Sequence, residues 1–161
     1  MGREVYDPEN DQRRTSKPAK EVTGLIKTWQ ITGPFKDKSA DTLKAFAPAH
    51  AADVTWKPIT KGFEPNRIDI QANIGEHDDC SAFVRTTVIS PKKQTVTLHL
   101  NADDLVCATL NGKLVEAGQI ELQEGDNTLL LKVIDHKKGW RFTCALTRNG
   151  KPVRRLKYKA D

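Results

Sequence analysis

Apolar and polar residues alternate with a period of two along most of the chain between Gly24 and Leu146. Residues 95–100 and 67–71 each place their aliphatic side chains on one face, as half-buried β-strands do. Residues 82–89 are apolar or β-branched on both faces apart from Arg85, which is typical of a central strand in a sandwich. Further strand-like runs occur at 105–110, 113–115, 119–122, 128–134 and 141–147.

Turn residues separate these runs. Asn111-Gly112 lies between two of them, and Asn149-Gly150 follows the last. Asn-Gly is the strongest short-range hairpin signal, because both central residues of a type I′ turn have positive φ. Only residues 40–52 are suited to a helical turn or two, and Pro48 limits their extent. The pattern therefore predicts an all-β fold, a two-sheet antiparallel β-sandwich of jelly-roll type.

The length of 161 residues suits one domain. Residues 1–22 are polar and proline-containing, which indicates a linker or flexible arm. We expect a single β-sandwich domain over 23–158 and a basic tail end at 159–161. No run approaches the roughly 18 consecutive apolar residues of a membrane-spanning helix, so no membrane span is expected. The first residues lack the apolar stretch of a secretory signal, which leaves a cytoplasmic protein or a piece of a longer exported one.

The net charge of +5 is concentrated at one end of the chain. Residues 148–161 carry six basic side chains and one acid, and the preceding part carries 20 of each. A nucleic-acid-binding domain would spread its basic residues over a face and interleave aromatic ones for stacking. We therefore expect a solvated basic terminus, and nucleic acid is not the expected partner.

The three cysteines, Cys80, Cys107 and Cys144, form no CxxC pair, and the four histidines are scattered. The pattern predicts neither a zinc site nor a disulfide framework. Buried thiols in strands are expected, with a single disulfide as the alternative.

The acidic loop at residues 76–79 is a candidate site for a metal ion. Glu76, Asp78 and Asp79 could hold a structural calcium ion, but their spacing fits no fixed calcium loop, and a solvated loop is the alternative. No cofactor is otherwise required.

The chain has no nucleophile elbow, Walker loop, dinucleotide fingerprint or zincin motif, so we expect no enzymatic activity.

Seven short motifs follow one another in a characteristic order: residues 29–35 (WQITGPF), 54–58 (VTWKP), 83–87 (FVRTT), 101–104 (NADD), 110–115 (LNGKLV), 124–133 (EGDNTLLLKV) and 139–142 (GWRF). Together they resemble the galactose-binding-like jelly-roll modules of bacterial polysaccharide-processing proteins. The sequence is also distantly similar to the sugar-binding domain of family 2 glycoside hydrolases. The resemblance implies a non-catalytic accessory module of a larger extracellular or periplasmic carbohydrate-active protein. Its partner would be a glycan or, in the alternative, a neighbouring catalytic domain that the sandwich braces.

Candidate sugar-binding residues follow from the needs of a pyranose, which binds to a flat apolar ring and to planar polar groups. Trp140 follows a charged turn, so its ring could reach the rim of a loop, although a structural position in the core is favoured. Arg85, inside an apolar strand, requires a partner such as Asp103 or Asp104 or must face a cleft. Trp56 is a possible second platform. These five residues form the predicted carbohydrate site.

Overall fold

The computed structural model describes residues 20–160, which form an all-β sandwich of two antiparallel sheets. Residues 1–19 of the predicted arm and residue 161 lie outside the described part. The strands are β1 (Gln30–Phe35), β2 (Lys57–Pro58), β3 (Ile68–Asp69), β4 (Cys80–Ser90), β5 (Gln94–Asp103), β6 (Leu105–Leu110), β7 (Lys113–Val115), β8 (Gly118–Leu122), β9 (Gly125–Asp135), β10 (Arg141–Arg148), β11 (Lys151–Pro152) and β12 (Lys157–Lys159). A 3₁₀ helix spans Leu43–His50 and a short helix, α1, spans Gln71–Ile74.

The first sheet has seven strands in the order β2-β1-β4-β9-β6-β7, with β12 also bonded to β4. β4 and β9 pair along their whole length, from Cys80 opposite Asp135 to Ser90 opposite Gly125. On its other side, β4 pairs with β1 near its start and with β12 near its end. The prediction of a central strand over 82–89 is confirmed.

The second sheet has five strands in the order β11-β10-β5-β8, and β3 pairs with the beginning of β10. Both predicted Asn-Gly turns are present, one between β6 and β7 and one between β10 and β11. All four turn residues have positive φ, at 51° and 82° for Asn111 and Gly112 and at 52° and 75° for Asn149 and Gly150. This is the backbone conformation that a type I′ turn requires.

The main core lies between the sheets and consists of the inward-facing residues of both. Val84, Leu98, Leu131 and Cys144 are each buried there. One side of each of the strands β4, β5, β9 and β10 thus lies in this core. Each fully buried aliphatic side chain contributes about 1.5–3 kcal/mol to stability.

A second apolar cluster covers part of the outer face of the seven-stranded sheet. The 3₁₀ helix packs Phe46 against this face, where Phe83 and Leu130 project from β4 and β9. The prediction that residues 40–52 are irregular or briefly helical is confirmed. Because of this cover, β4 is buried on both faces near its start.

Lys132 of β9 lies under the cover, and its side chain is fully buried. Its amino group lies 3.1 Å from Asp37 Oδ2 and donates to the carbonyl oxygen of Ala45 at 3.0 Å. The ammonium also lies 5.5 Å from the centre of the Phe83 ring. These contacts compensate the buried charge and tie the covering segment to the sheet.

Two local predictions need correction. The predicted strand at 67–71 is limited to Ile68–Asp69, because Gln71 begins α1 and its backbone N–H donates to Asp69 Oδ1 at 2.9 Å. Lys159, assigned to the predicted tail end at 159–161, is instead the last residue of β12 and lies opposite Thr87 of β4.

Candidate ligand-binding surface

The outer face of the seven-stranded sheet remains partly open beyond the covering 3₁₀ helix. Side chains alternate along a strand, so Arg85 and Thr87 share the outer face of β4 with Phe83. Phe83 is buried under the cover, whereas Arg85 and Thr87 are partly exposed. The open area therefore begins at Arg85.

Arg85 makes two directed contacts on this surface. Its guanidinium carbon lies 4.0 Å from the centre of the Trp56 ring, and its Nε donates to Gln30 Oε1 at 2.9 Å. Gln30 stands directly opposite Arg85 in the β1–β4 ladder. Stacking on an aromatic ring and a hydrogen bond at Nε together fix the plane of a guanidinium. Burial lowers the pKa of Arg85, but an arginine stays charged in proteins.

A shallow depression of about 20 Å³ adjoins Arg85 and is also lined by Gln30, Thr87, Thr128 and Lys159. This volume corresponds to roughly one water molecule. A ligand hydroxyl group can occupy such a position and exchange hydrogen bonds with a guanidinium, an amide and hydroxyl groups. We call Trp56, Arg85 and Gln30, with this depression, the Trp56 surface.

Trp140 does not belong to this surface, and its predicted place at a loop rim is wrong. The residue is 0% exposed, and its indole Nε1 donates to the carbonyl oxygen of Val133 at 3.1 Å. Its ring packs in the main core, with His77 edge-on at 6.5 Å between ring centres. The core position favoured from the sequence is confirmed, and the ring has no face free for stacking.

Asp103 and Asp104 do not pair with Arg85, so the predicted Arg/Asp clamp is also wrong. Asp103 Oδ2 lies 3.9 Å from a terminal nitrogen of Arg141. Asp104 Oδ2 accepts hydrogen bonds from the backbone N–H groups of His136, at 2.7 Å, and Lys137, at 3.3 Å. The bond from His136 is the main reason that the pKa of Asp104 is lowered. Asp104 thus holds the loop between β9 and β10, and Asp103 contacts the first residue of β10.

The acidic loop of Glu76, Asp78 and Asp79 is exposed. Asp79 Oδ1 lies 3.2 Å from the amino group of Lys38. Between residues 20 and 160, no three His, Cys, Asp or Glu side chains form a group that could hold a metal ion. The structural calcium ion stays a prediction without support from this geometry.

The three cysteines are free and buried, in β4, β6 and β10. The prediction of buried thiols in strands is confirmed. Burial raises the pKa of each thiol, and that of Cys80 rises to about 11, with the negative charge of Asp135 as a second cause. They are therefore poor nucleophiles.

Asp135, at the end of β9, is a buried charge that the sequence reasoning missed. Its side chain is 0% exposed, and neither carboxylate oxygen has a hydrogen-bond partner within the described part of the chain. Burial, followed by the negative charges of Asp104, Asp78 and Asp103, raises its pKa to about 6. Its position directly after an apolar run was the available signal.

Compared with known proteins, the chain matches no family model, no curated protein and no solved structure. No helix among residues 20–160 combines the length and apolar character needed to cross a membrane.

Proposed function

We propose that this domain is a non-catalytic carbohydrate-binding module and that its ligand lies on the Trp56 surface. One observation carries the proposal: an arginine fixed against a tryptophan ring, with a glutamine amide beside it, on an open sheet face. The sequence placed Trp56 and Arg85 among the candidate residues, and the fold brings these two together.

The chemistry of this surface suits a sugar. Vicinal hydroxyl groups form paired hydrogen bonds with planar guanidinium and amide groups, and the exposed part of an indole ring packs against the C–H face of a pyranose. Small sugars bury little area and must lose bound water, so we expect dissociation constants from micromolar to millimolar.

The proposal extends to the architecture of the parent protein. The motif order supports a galactose-binding-like jelly-roll module attached to a larger bacterial carbohydrate-active enzyme that is secreted or periplasmic. In such a protein, the module would keep the catalytic domain close to its polymer.

A glycan array followed by titration of each hit tests the proposal. Trp29 and Trp140 are 1% and 0% exposed, so a ligand-induced change in tryptophan fluorescence should come from Trp56. We expect Trp56→Ala to abolish this change and to weaken binding at least tenfold, about 1.4 kcal/mol, as loss of a stacking contact does.

Phe63→Ala is the matched control, because Phe63 is an exposed aromatic residue (42%) on a loop away from β4. It should bind like the wild type. An array without hits, or equal affinity of Trp56→Ala and the wild type, would overturn the proposal. An empty array would favour the alternative, a module that braces a neighbouring domain.

A further inference from the structure

A groove of about 730 Å³ lies at one end of the sandwich, where the β4–β5 loop, the β10–β11 turn and the connection from β11 to β12 meet. Five of its lining residues are basic: Lys92, Arg148, Lys151, Arg154 and Arg155. The other lining residues in the described part of the chain are neutral. We call this the basic groove. It gathers four of the six basic residues of the chain end, together with Lys92 from a distant loop.

The positive charge of the basic groove is not neutralised by the described part of the chain. The ion pairs found there involve Lys38, Arg67, Lys93, Lys132, Arg141 and Lys159, and none of the five groove residues. Like charges held together in a concave site repel one another and attract anions. The groove therefore favours a negatively charged ligand.

Part of the groove is held in position without a ligand. A terminal nitrogen of Arg148 donates to Gln94 Oε1 and, at 3.2 Å, to the carbonyl oxygen of Thr95. Arg154 and Arg155 lie in the turn before β12, and Arg155 has a φ of 63°. That left-handed conformation favours glycine or asparagine, so the turn presents an arginine at some conformational cost.

We propose that the basic groove binds an acidic polysaccharide through its carboxylate groups. Guanidinium groups match carboxylates with paired hydrogen bonds. The amides of Gln94 and Asn149 suit sugar hydroxyl groups, and Pro91, Pro152 and Val153 supply apolar contacts. The preference for an anion rests on the charges alone, whereas its identity as a glycan rests on the function proposed above.

Two features distinguish the basic groove from a site for single-stranded nucleic acid and from the Trp56 surface. No aromatic side chain among residues 20–160 lines the groove, and single-stranded nucleic acids are typically bound by stacking their bases on such side chains. The groove also shares no lining residue with the depression beside Arg85. The Trp56 surface and the basic groove can therefore be tested separately.

The test measures binding of the full chain to polygalacturonate by isothermal titration calorimetry at low salt. We expect the double variant Arg154→Gln/Arg155→Gln to bind about tenfold more weakly, about 1.4 kcal/mol, because it loses two exposed ion pairs with the ligand. Binding should also fall steeply between 50 and 500 mM sodium chloride, about the range over which exposed charges become screened.

Lys44→Gln/Lys113→Gln is the matched control, because it removes the same charge from exposed positions outside the groove. It should change the affinity less than about twofold. Equal weakening by both double variants would overturn the proposal in favour of unspecific charge attraction. Unchanged affinity of the groove variant would also overturn it, provided that its urea midpoint is that of the wild type.

Two further arms separate the alternatives. Tighter binding of a single-stranded oligonucleotide than of polygalacturonate would overturn the glycan assignment in favour of nucleic acid. Hydroxyethyl cellulose, a neutral glycan, should not bind to the groove. The groove variants are tested on polygalacturonate, whereas Trp56→Ala is tested on the hits of the glycan array, so the Trp56 surface can fail while the groove proposal stands.

Discussion

Replacing Asp135 by asparagine should stabilise the domain at neutral pH. Asp135 is buried, its carboxylate oxygens lack hydrogen-bond partners among residues 20–160, and three other aspartates add to the unfavourable charge. Asparagine keeps the size of the side chain and removes the ionised form. The variant therefore isolates the cost of this charge.

The magnitude follows from the pKa of Asp135, which burial and neighbouring carboxylates raise from 3.8 to about 6. Because the folded state binds the proton more tightly, this group contributes stability below pH 3.8 and loses it as the pH rises through about 6. Two pKa units correspond to about 3 kcal/mol. An amide without partners costs about 1 kcal/mol or more, so the variant should gain about 1–2 kcal/mol at pH 8.

Urea unfolding, followed by tryptophan fluorescence between pH 4.5 and pH 8, measures this difference. Asp37 and Asp104 have lowered pKa values, so they make stability depend on pH only below their ordinary value of 3.8, outside this range. The exposed Asp53→Asn is the control and should leave the pH profile unchanged. A variant that is destabilised by the same amount at every pH would refute the reasoning, since it would show that Asp135 gains a stabilising contact.

Lys132→Ala should destabilise the domain by about 3 kcal/mol, and Lys132→Met by less than half of that. Methionine preserves packing against Phe83, and Asp37, which is 41% exposed, can be hydrated when it loses its partner. Equal losses of unfolding free energy for the two variants in urea would contradict this account. Gly24→Ala should cost about 3 kcal/mol by the same measurement, because a Cβ at φ 73° would collide with the carbonyl oxygen of Leu146. Gly112→Ala, which meets no atom within 4 Å, should cost only about 1 kcal/mol, and a reversed order of the two glycine variants would rule out the collision.

The strands and the tight turns could be predicted from sequence because both depend on neighbouring residues. Alternation predicted β5 and β10, a run that is apolar or β-branched on both faces predicted β4, and Asn-Gly predicted both turns with positive φ. The strand at 67–71 was overestimated for the same local reason. Its alternation is real, but a hydrogen bond from the backbone of Gln71 to Asp69 begins a helix there.

The site depended on contacts that local patterns do not encode. Arg85 bonds to a residue 55 positions away, and Lys132 pairs with one 95 positions away. Such contacts depend on strand order and register, and the same strands could be arranged in many other orders and registers. Trp140 was misplaced because a charged turn beside an aromatic residue is compatible with both a rim and a core position.

The pairing of β4 on both edges means that stability is distributed unevenly over the domain. Its hydrogen bonds to β1 and its first hydrogen bonds to β9 lie between the main core and the second cluster, whereas β2, β3 and β11 have two residues each. Amide hydrogens in such a doubly covered strand exchange with solvent only when the whole domain opens, and those in short edge strands exchange by local fraying. The basic groove, built partly on β11, therefore lies in the part of the domain that can adjust to a ligand while β4 and β9 remain closed.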